Sequence, residues 1–450
     1  MTQQDISYKP SLYNILIELK GGKTLAFNTL RQTLAVWDEA DAKVYSRIAD
    51  DKVCSEDERE KAVTDDLLRG GFIIKSEEDE RKRLEEAFSM IRFGRKNMSL
   101  TIAPTLLCNF ACDYCYQGSG AAALTMDDRV FERLLEHLDK RVPGLSRLGI
   151  AWYGGEPLLQ KDRICEMSDR LMEFCARNNI KYSAMMVTNG YGLSGDTAQT
   201  LAKKHVSLFQ ITLDGDRKTH DTRRIKKDGS GTFDRIIGNL KDALGRPGVN
   251  LMVRVNVDKR NVEGAFELLE TLHEEGFSGK NGFSVYFAPV DVCSAECTRI
   301  ESEVLTFSEY ARIETQMLKK AIELKLAKPR LPGIMNSMCA AIKPNGFVIL
   351  PNGDVHKCWN TVSDPSQRVC TVETLEEAEK TGVSQKWLSW SPFSEEDCRQ
   401  CPVLPACTGA CANRVMMGRG APCTSIRENI REKLLLYSVY HKAIKEDDIY

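Results

Sequence analysis

The hydrophobic and polar positions alternate in a regular way between residues 98 and 300. Short apolar runs predict strands at residues 100–103, 149–153, 183–188, 208–213, 251–257 and 284–288. Longer amphipathic stretches predict helices at residues 127–140, 163–177, 195–204, 232–244 and 262–275. Such alternation is typical of parallel strands that are joined by helices. Because six steps are fewer than the eight of a closed barrel, the sequence predicts an α/β fold with a partial (β/α)6 barrel.

The first 97 residues have a different pattern. β-like runs at 12–18 and 23–28 are separated by Lys20-Gly21-Gly22, which is a hairpin signal. Helical patterns at 40–48 and 55–69, a short strand at 72–74 and a charged helix at 77–91 follow. We predict a winged-helix-like domain whose sheet has a free edge. Such an edge can accept a peptide as an added strand, but a cap that only shields the barrel is the alternative.

After residue 300 the pattern predicts a helical segment and then a region rich in loops and cysteines. Asn352-Gly353 predicts a tight turn between apolar runs at 347–350 and 355–357. We divide the chain into five segments, which are an N-terminal domain (1–97), a barrel (98–300), a linker helix (301–334), a cysteine-rich domain (335–430) and a C-terminal helix (431–450).

Composition and charge narrow the possible partners. The 450 residues include 62 basic and 64 acidic ones, with a formal net charge of −2, so nothing favours nucleic acid or an anionic membrane as a partner. No secretory signal is visible at the amino terminus, and no apolar run approaches the roughly 20 residues that span a bilayer. We therefore expect a cytoplasmic protein, in which 16 cysteines indicate metal or redox chemistry rather than disulfides.

Three cysteines form a C-x3-C-x2-C loop directly after the first predicted barrel strand, at Cys108, Cys112 and Cys115. Barrel enzymes carry their active-site residues at the carboxyl ends of the strands. Three closely spaced thiolates can bind three irons of a cubane cluster and leave the fourth iron open to a small molecule. Zinc is the alternative, but structural zinc takes four ligands, usually in C-x2-C pairs, and the first histidine is His137.

The cysteine loop, with the aromatic Tyr116 directly after it, resembles the signature of the radical SAM enzymes. The resemblance implies a TIM-like radical SAM barrel with a 4Fe–4S cluster on the three cysteines. It further implies that S-adenosylmethionine (SAM) binds the open iron and is cleaved to a deoxyadenosyl radical. The predicted SAM contacts are Tyr116, Gly154, Gly155, Glu156, Thr188, Asn189, Asp214 and Arg254.

These contacts come from the ends of the predicted strands. Gly154-Gly155-Glu156-Pro157 matches the family motif that binds the SAM amino group, and Arg254 can pair with the SAM carboxylate. The stretch from residue 213 to residue 234 resembles the sulfatase-maturase-like branch of the family. Within this stretch, His220 and Asp221 are predicted to be structural, because radical abstraction needs no general base.

Seven later cysteines resemble the pattern of the SPASM domain, so the resemblance covers about residues 98–430. It implies two auxiliary 4Fe–4S clusters and therefore three clusters in all. The outer auxiliary cluster would be held by Cys398, Cys401, Cys407 and Cys423, and the inner one by Cys339, Cys358 and Cys411. The fourth ligand of the inner cluster is either Cys293 or Cys297, or it is absent and the open iron binds a substrate thiolate.

Together these resemblances predict a radical SAM/SPASM maturase that abstracts hydrogen from a ribosomally made precursor peptide. The expected product is a thioether or C–C cross-link, made by net two-electron oxidation. The expected partners are the peptide, docked on the N-terminal domain, and an electron donor such as flavodoxin or ferredoxin. Trp359 stands where sulfatase maturases have an aspartate, which disfavours formylglycine formation. The alternatives are sulfatase maturation, peptide epimerisation, small-molecule cofactor biosynthesis and a non-catalytic iron–sulfur or zinc carrier.

Overall fold

The computed structural model describes residues 7–50, 57–117, 124–335, 338–420 and 423–450. Contacts within the chain separate two compact units. The first unit consists of Met1–Arg92, Pro329–Cys339 and Trp390–Tyr450, and the second consists of Phe93–Lys328 and Ala340–Ser389. Each unit is assembled from separate stretches, whereas the five segments of the sequence analysis are continuous, so those segments stay a prediction.

The first unit begins with short strands and three helices. They are β1 (Tyr8–Pro10), β2 (Asn14–Glu18), β3 (Thr24–Asn28), β4 (Thr33–Trp37), α1 (Glu39–Ala49), α2 (Glu58–Gly70), β5 (Ile73–Lys75) and α3 (Glu80–Phe93). β2, β3 and β4 form an antiparallel sheet, and β1 pairs with β5 in a second, two-stranded sheet. β4 was not predicted, and β5 does not join the predicted hairpin. Residues 55 and 56, where the second predicted helix begins, lie outside the described residues.

The second unit contains the predicted α/β barrel. Its elements up to residue 323 are β6 (Asn97–Ile102), α4 (Asp128–Arg141), β7 (Arg147–Trp152), α5 (Lys161–Arg177), β8 (Lys181–Thr188), α6 (Gly195–Ala202), β9 (Val206–Thr212), α7 (Arg217–Arg223), α8 (Phe233–Ala243), β10 (Asn250–Val257), α9 (Val262–Glu274), β11 (Phe283–Pro289) and α10 (Phe307–Glu323). Strands β6 to β11 lie side by side in chain order and are all parallel. The predicted α/β fold with six parallel strands is therefore confirmed.

Burial explains why these residues form a barrel. Along β7 every second residue is buried, which places one side of the strand in the core. Asp127 caps the start of α4, because its carboxylate accepts a hydrogen bond from the Val130 amide at 2.9 Å. Phe131, Leu134 and Leu138 follow at helical spacing and are fully buried. Burying each of these side chains contributes about 1.5–3 kcal/mol of transfer free energy.

The sheet of the second unit continues beyond the barrel strands. The added elements are β12 (Gly346–Ile349), β13 (Asp354–His356), β14 (Cys370–Thr371) and α11 (Gly382–Ser389). β12 pairs in parallel with β6, and β13 and β14 follow as antiparallel neighbours. The predicted turn at Asn352-Gly353 is present, and the hairpin around it extends the barrel sheet beside the strand that leads into the cysteine loop.

The remaining helices belong to the first unit. They are α12 (Glu396–Arg399), α13 (Leu404–Cys407), α14 (Ala412–Met416) and α15 (Ile426–Tyr440). Ile430 and Leu434 of α15 share a buried cluster with Ile15, Ile17 and Phe27 of the three-stranded sheet. Among the described residues, none of the helices combines the length and the hydropathy that crossing a bilayer would require.

Candidate active site

The cysteine loop follows β6 and is held by a short stretch that follows α7. The Ala111 amide donates to the Ile225 carbonyl at 2.8 Å, and the Asp113 amide donates to the Arg223 carbonyl at 3.3 Å. On the other side, the Lys227 amide donates to the Asn109 carbonyl at 3.1 Å. The backbone of residues 223–227 therefore supports the loop along its length, which the sequence analysis did not anticipate.

The three thiols of this loop provide a donor set for a cubane cluster. Burial raises the pKa of Cys112 to about 12, and it also raises the pKa of Cys108. Cationic neighbours or metal ions must therefore stabilise the thiolate forms. Among the described residues, no three His, Cys, Asp or Glu side chains are grouped so that they could hold one metal ion. The three sulfur atoms need not converge on a single ion to hold a cubane cluster, because each cysteine binds a separate iron atom.

The glycine pair after β7 packs directly against the backbone that leads into the cysteine loop. A Cβ atom on Gly155 would lie 2.2 Å from the Leu107 carbonyl oxygen, and one on Gly154 would lie 2.3 Å from the Thr105 carbonyl oxygen. The Glu156 amide donates to the Leu107 carbonyl at 2.8 Å. Only glycine permits this close approach, so the pair fixes the loop; its predicted contact with SAM stays a prediction.

Glu156 is almost completely buried and already has three hydrogen-bond donors around its carboxylate. They are the Thr188 hydroxyl at 2.6 Å, the Asn189 amide at 2.7 Å and the Leu158 amide at 3.0 Å. Burial raises the pKa of Glu156, while these hydrogen bonds oppose the rise. The carboxylate thus ties the end of β7 to the end of β8, and it retains room for about one more donor.

Asn189 connects the end of β8 to the cysteine loop. Its side-chain amide donates to the Asn109 side-chain oxygen at 2.8 Å, and its own side-chain oxygen accepts from the Tyr191 amide at 3.0 Å. Three of the predicted SAM contacts, Glu156, Thr188 and Asn189, therefore form one hydrogen-bonded group beside the loop.

Asp214 is fully buried at the end of β9 and contacts the cysteine loop through Tyr114. The Tyr114 hydroxyl donates to the Asp214 carboxylate, which also accepts from the Asn256 amide at 3.2 Å. The same hydroxyl accepts from the Arg224 guanidinium at 2.6 Å and from the Asn256 side chain at 3.2 Å. The sequence analysis missed Tyr114, Arg224 and Asn256. The position of Tyr114 inside the cysteine motif is the one signal that could have identified it.

His220 and Asp221 have the structural roles that were predicted for them. His220 Nδ1 accepts from the Asp214 amide at 3.3 Å, and its Nε2 lies 3.0 Å from the Thr232 hydroxyl. Burial holds the pKa of His220 well below its usual value, so the ring is neutral near pH 7. Asp221 accepts from the backbone amides of Thr232 and Phe233 at the start of α8.

Arg254 lies on β10, as predicted, and has partners within the barrel. Its Nε donates to the Asn256 side-chain oxygen at 2.6 Å, and its Nη1 donates to the Tyr286 hydroxyl at 3.4 Å. The guanidinium carbon is 5.9 Å from the centre of the Tyr286 ring. Arg254 therefore belongs to a polar group that joins β10 to β11, and its contact with a SAM carboxylate stays a prediction.

Aromatic rings surround the carboxyl end of the cysteine loop. The Tyr116 ring is 5.9 Å from the Trp359 ring, and the Tyr153 ring is 4.2 Å from it, measured between ring centres. Cys293 and Cys297 lie nearby, with sulfur atoms 3.8 Å apart, and the Ser294 hydroxyl donates to the Tyr116 carbonyl at 3.1 Å. The two candidate fourth ligands are therefore next to the loop that carries the first three cysteines.

Four cysteines of the first unit line one small cavity, and they are the four that were assigned to the outer auxiliary cluster. The cavity is lined by Asp397, Cys398, Cys401, Val403, Leu404, Cys407, Gly409, Cys423, Thr424 and Arg427. The Arg427 guanidinium donates to the Cys423 sulfur at 3.5 Å, and the amides of Gly409 and Ala410 donate to the Cys407 sulfur. A Cβ on Gly409, whose φ is 77°, would lie 2.7 Å from Pro392. This donor set fits a cubane cluster.

The three cysteines assigned to the inner cluster are divided between the units. Cys339 and Cys411 belong to the first unit, and Cys358 belongs to the second, where it precedes Trp359. A shared cluster on these residues stays a prediction.

The comparisons with known proteins agree with this site. Residues 102–290 match the model of the radical SAM superfamily, so this part of the chain is a radical SAM domain and the protein is an enzyme. The match contains the cysteine loop and every residue that was predicted to contact SAM. Enzymes of this superfamily use SAM and a 4Fe–4S cluster.

A cysteine-type anaerobic sulfatase-maturating enzyme of Clostridium novyi is one similar protein. It is 22% identical over 344 residues, which cover 70% of this chain and 88% of that enzyme. The predicted relationship to the sulfatase-maturase-like branch is therefore confirmed at the level of homology.

Two solved structures share the fold. The enzyme anSMEcpe with bound AdoMet and the Cp18Cys peptide has a TM-score of 0.57 at 19% identity, covering 76% of this chain and 97% of that one. SuiB of Streptococcus suis bound to the precursor peptide SuiA has a TM-score of 0.52 at 16% identity, covering 93% of this chain and 98% of SuiB.

Proposed function

We propose that this enzyme modifies a ribosomally made precursor peptide, using a radical derived from SAM to abstract a hydrogen atom. The observation that carries the proposal is the open edge of the three-stranded sheet in the first unit. This sheet occurs together with a radical SAM domain, and the fold extends over nearly the whole length of a protein that binds a precursor peptide. The cluster on Cys108, Cys112 and Cys115 would supply the electron that cleaves SAM.

The sheet is covered on both faces, so its edge is the surface that remains for a peptide. Ile15 and Ile17 pack with α15 on one face, and Ala26 and Trp37 pack with Val44 of α1 in a separate buried cluster. Among the residues that the structure describes, β4 is an edge strand of this sheet and pairs with β3 alone, as β2 does at the other edge. An extended peptide can add to such an edge by main-chain hydrogen bonds.

The reaction that we propose is a net two-electron oxidation that yields a thioether or C–C cross-link. Its support is Trp359, which follows Cys358 at the position where sulfatase maturases have an aspartate and whose ring packs with those of Tyr116 and Tyr153. Closely packed rings can exclude water from a reactive intermediate. Two auxiliary clusters, bringing the total to three, would accept the remaining electron or bind the substrate. The cavity lined by Cys398, Cys401, Cys407 and Cys423 supports the outer one.

The mass of a candidate precursor peptide tests the reaction. The peptide is incubated anaerobically with enzyme, SAM and a reductant, and we expect a loss of about two mass units for each cross-link, because two hydrogens are removed. An unchanged mass with deuterium taken up from solvent would indicate epimerisation instead. An unchanged mass without deuterium, but with SAM cleaved, would contradict the proposed substrate class.

Peptide docking at β4 has a separate test. In an edge strand, adjacent residues point their amide groups alternately to the neighbouring strand and to the open edge. Proline has no N–H group, so one of the variants Ala35→Pro and Val36→Pro removes a hydrogen bond to β3. The other removes only an N–H group at the open edge and places the proline ring at that edge. We expect the variant that retains the wild-type melting temperature to bind the peptide about tenfold more weakly, a change of roughly 1.4 kcal/mol. Unchanged peptide affinity in that variant would rule out strand addition at β4.

A further inference from the structure

Arg224 is a largely buried cation beside the cysteine loop, and the proposed function gives it no role. Its side chain is 11% exposed, and its Nη1 donates to the Tyr114 hydroxyl at 2.6 Å. The guanidinium carbon is 5.9 Å from the ring centres of both Phe110 and Tyr114. A charge is costly to bury, so its retention here needs a compensating interaction.

The backbone places Arg224 directly opposite Cys112. Phe110 and Lys226 form an antiparallel bridge between two segments that are not named strands. Two residues after Phe110 is Cys112 and two residues before Lys226 is Arg224, so these two residues stand opposite each other. The hydrogen bonds agree with this register, because Ala111 donates to Ile225 and Asp113 donates to Arg223. Directly opposed residues in such a ladder have Cα atoms roughly 4.5–5.5 Å apart. The positive charge is thus held in register with the middle cysteine of the loop.

Arg224 belongs to a network of ion pairs around the cysteine loop. Asp214 lies 4.0 Å from the Arg224 guanidinium and 3.9 Å from Arg223, measured between nitrogen and oxygen. Asp258 pairs with Arg223 at 2.9 Å and with Arg260 at 3.1 Å, and Arg260 also pairs with Asp113 at 2.7 Å. Three arginines thus face three aspartates, and Arg224 also interacts electrostatically with the Glu156 carboxylate. Removing Arg224 would therefore leave negative charge in excess beside the cysteine loop.

We propose that Arg224 is a positioning residue that favours the reduced state of the 4Fe–4S cluster expected on Cys108, Cys112 and Cys115. Reduction adds one electron from an external one-electron donor and breaks no bond, so the cluster gains one negative charge. A cation held opposite Cys112 in a poorly solvated place stabilises that charge. This inference rests on the radical SAM domain and not on the nature of the substrate.

The reduction potential of the cluster tests the inference without using catalysis. The holoenzyme is titrated anaerobically with dithionite and mediators, and the cluster is recognised by the change in its EPR signal when SAM is added. For Arg224→Gln we expect the equilibrium constant for reduction to fall at least tenfold, which corresponds to 59 mV for one electron. Arg224→Lys keeps the charge and should stay within threefold of wild type. Asp214→Asn removes the opposing charge and should shift the potential upward.

Iron content distinguishes a changed potential from a damaged site. A wild-type potential in Arg224→Gln with full iron content would overturn the inference. If Arg224→Gln loses iron, the reduction potential of the cluster in Asp214→Asn becomes the test. The inference requires that potential to rise above the wild-type value, and an unchanged or lower potential would overturn the inference. The titration contains no peptide, so failure of the proposed peptide modification would leave this result unaffected.

Discussion

Replacing Gly155 with alanine tests how the glycine pair positions the cysteine loop. The added Cβ would lie 2.2 Å from the Leu107 carbonyl oxygen, 2.4 Å from the Leu106 carbonyl oxygen and 2.5 Å from the Leu107 carbonyl carbon. All three are backbone atoms of the segment that enters the loop, so no side chain can rotate away to relieve the clash.

The cost of Gly155→Ala follows from these distances. Ordinary van der Waals contact begins at about 3.4 Å, so the backbone of residues 106–107 must retreat by roughly 1 Å. Overpacking of this kind costs about 1–3 kcal/mol. The shift also strains the hydrogen bond from the Gly155 amide to the Thr105 carbonyl, now 3.1 Å, and a lost bond of this type costs about 0.5–1.5 kcal/mol. We expect a total loss of about 1.5–4.5 kcal/mol, concentrated at the loop.

Iron content and unfolding measure this effect. Gly155→Ala is expected to lose the SAM-responsive EPR signal and about four irons per chain, while auxiliary clusters remain. Gly238→Ala is the matched control, because Gly238 lies within α8 and a Cβ there meets no atom within 4 Å. Alanine in a helix interior should stabilise the protein by about 0.5–1 kcal/mol. Full iron content and wild-type SAM cleavage in Gly155→Ala would refute the packing argument.

Three further predictions concern other parts of the chain. His137 is buried, and burial lowers its pKa to about 4 from 6.5, so the unfolded chain binds a proton below pH 6.5 that the native state excludes. Stability is therefore lost as the pH falls from 6.5 to 4. In urea titrations, His137→Phe should reduce the slope of unfolding free energy between pH 6 and 5 by about 1.2 kcal/mol per pH unit. An unchanged slope would show that the native ring is protonated. Cys407→Ala should remove about four irons, whereas Cys370→Ala in β14 should remove none, as measured by iron and sulfide analysis; equal losses would contradict the assignment of the outer site. Tyr114→Phe keeps the ring but removes the hydroxyl that joins Asp214, Arg224 and Asn256, and we expect weaker SAM binding by roughly tenfold in equilibrium dialysis, with full iron content as the control.

Local patterns were sufficient to predict the barrel, and they also selected the cysteines to which we assign the clusters. Strands β6 to β11 are short apolar runs between amphipathic helices. Each strand and each helix must bury its own apolar side chains, so the pattern can be read from each segment separately. α7 was missed because its seven residues are mostly polar and contain no apolar repeat. β4 was missed because residues 34–37 are all apolar and show no alternation with polar positions. In the structure Thr33, Leu34 and Ala35 are partly buried, Val36 is exposed and Trp37 is buried.

The sequence by itself determined which residue types are available for the proposed chemistry, because cysteine spacing and glycine-rich turns are local properties. Only the tertiary structure decided how they are supported. The contacts of residues 223–227 with the cysteine loop, and of Asp214 with Tyr114, join residues about 100 positions apart. Likewise, the carboxylate of Glu156 accepts hydrogen bonds from Thr188 and Asn189 at the end of β8, and the motif around Glu156 does not reveal these partners. Such pairings depend on which strands become neighbours, and no local pattern in the chain encodes that arrangement.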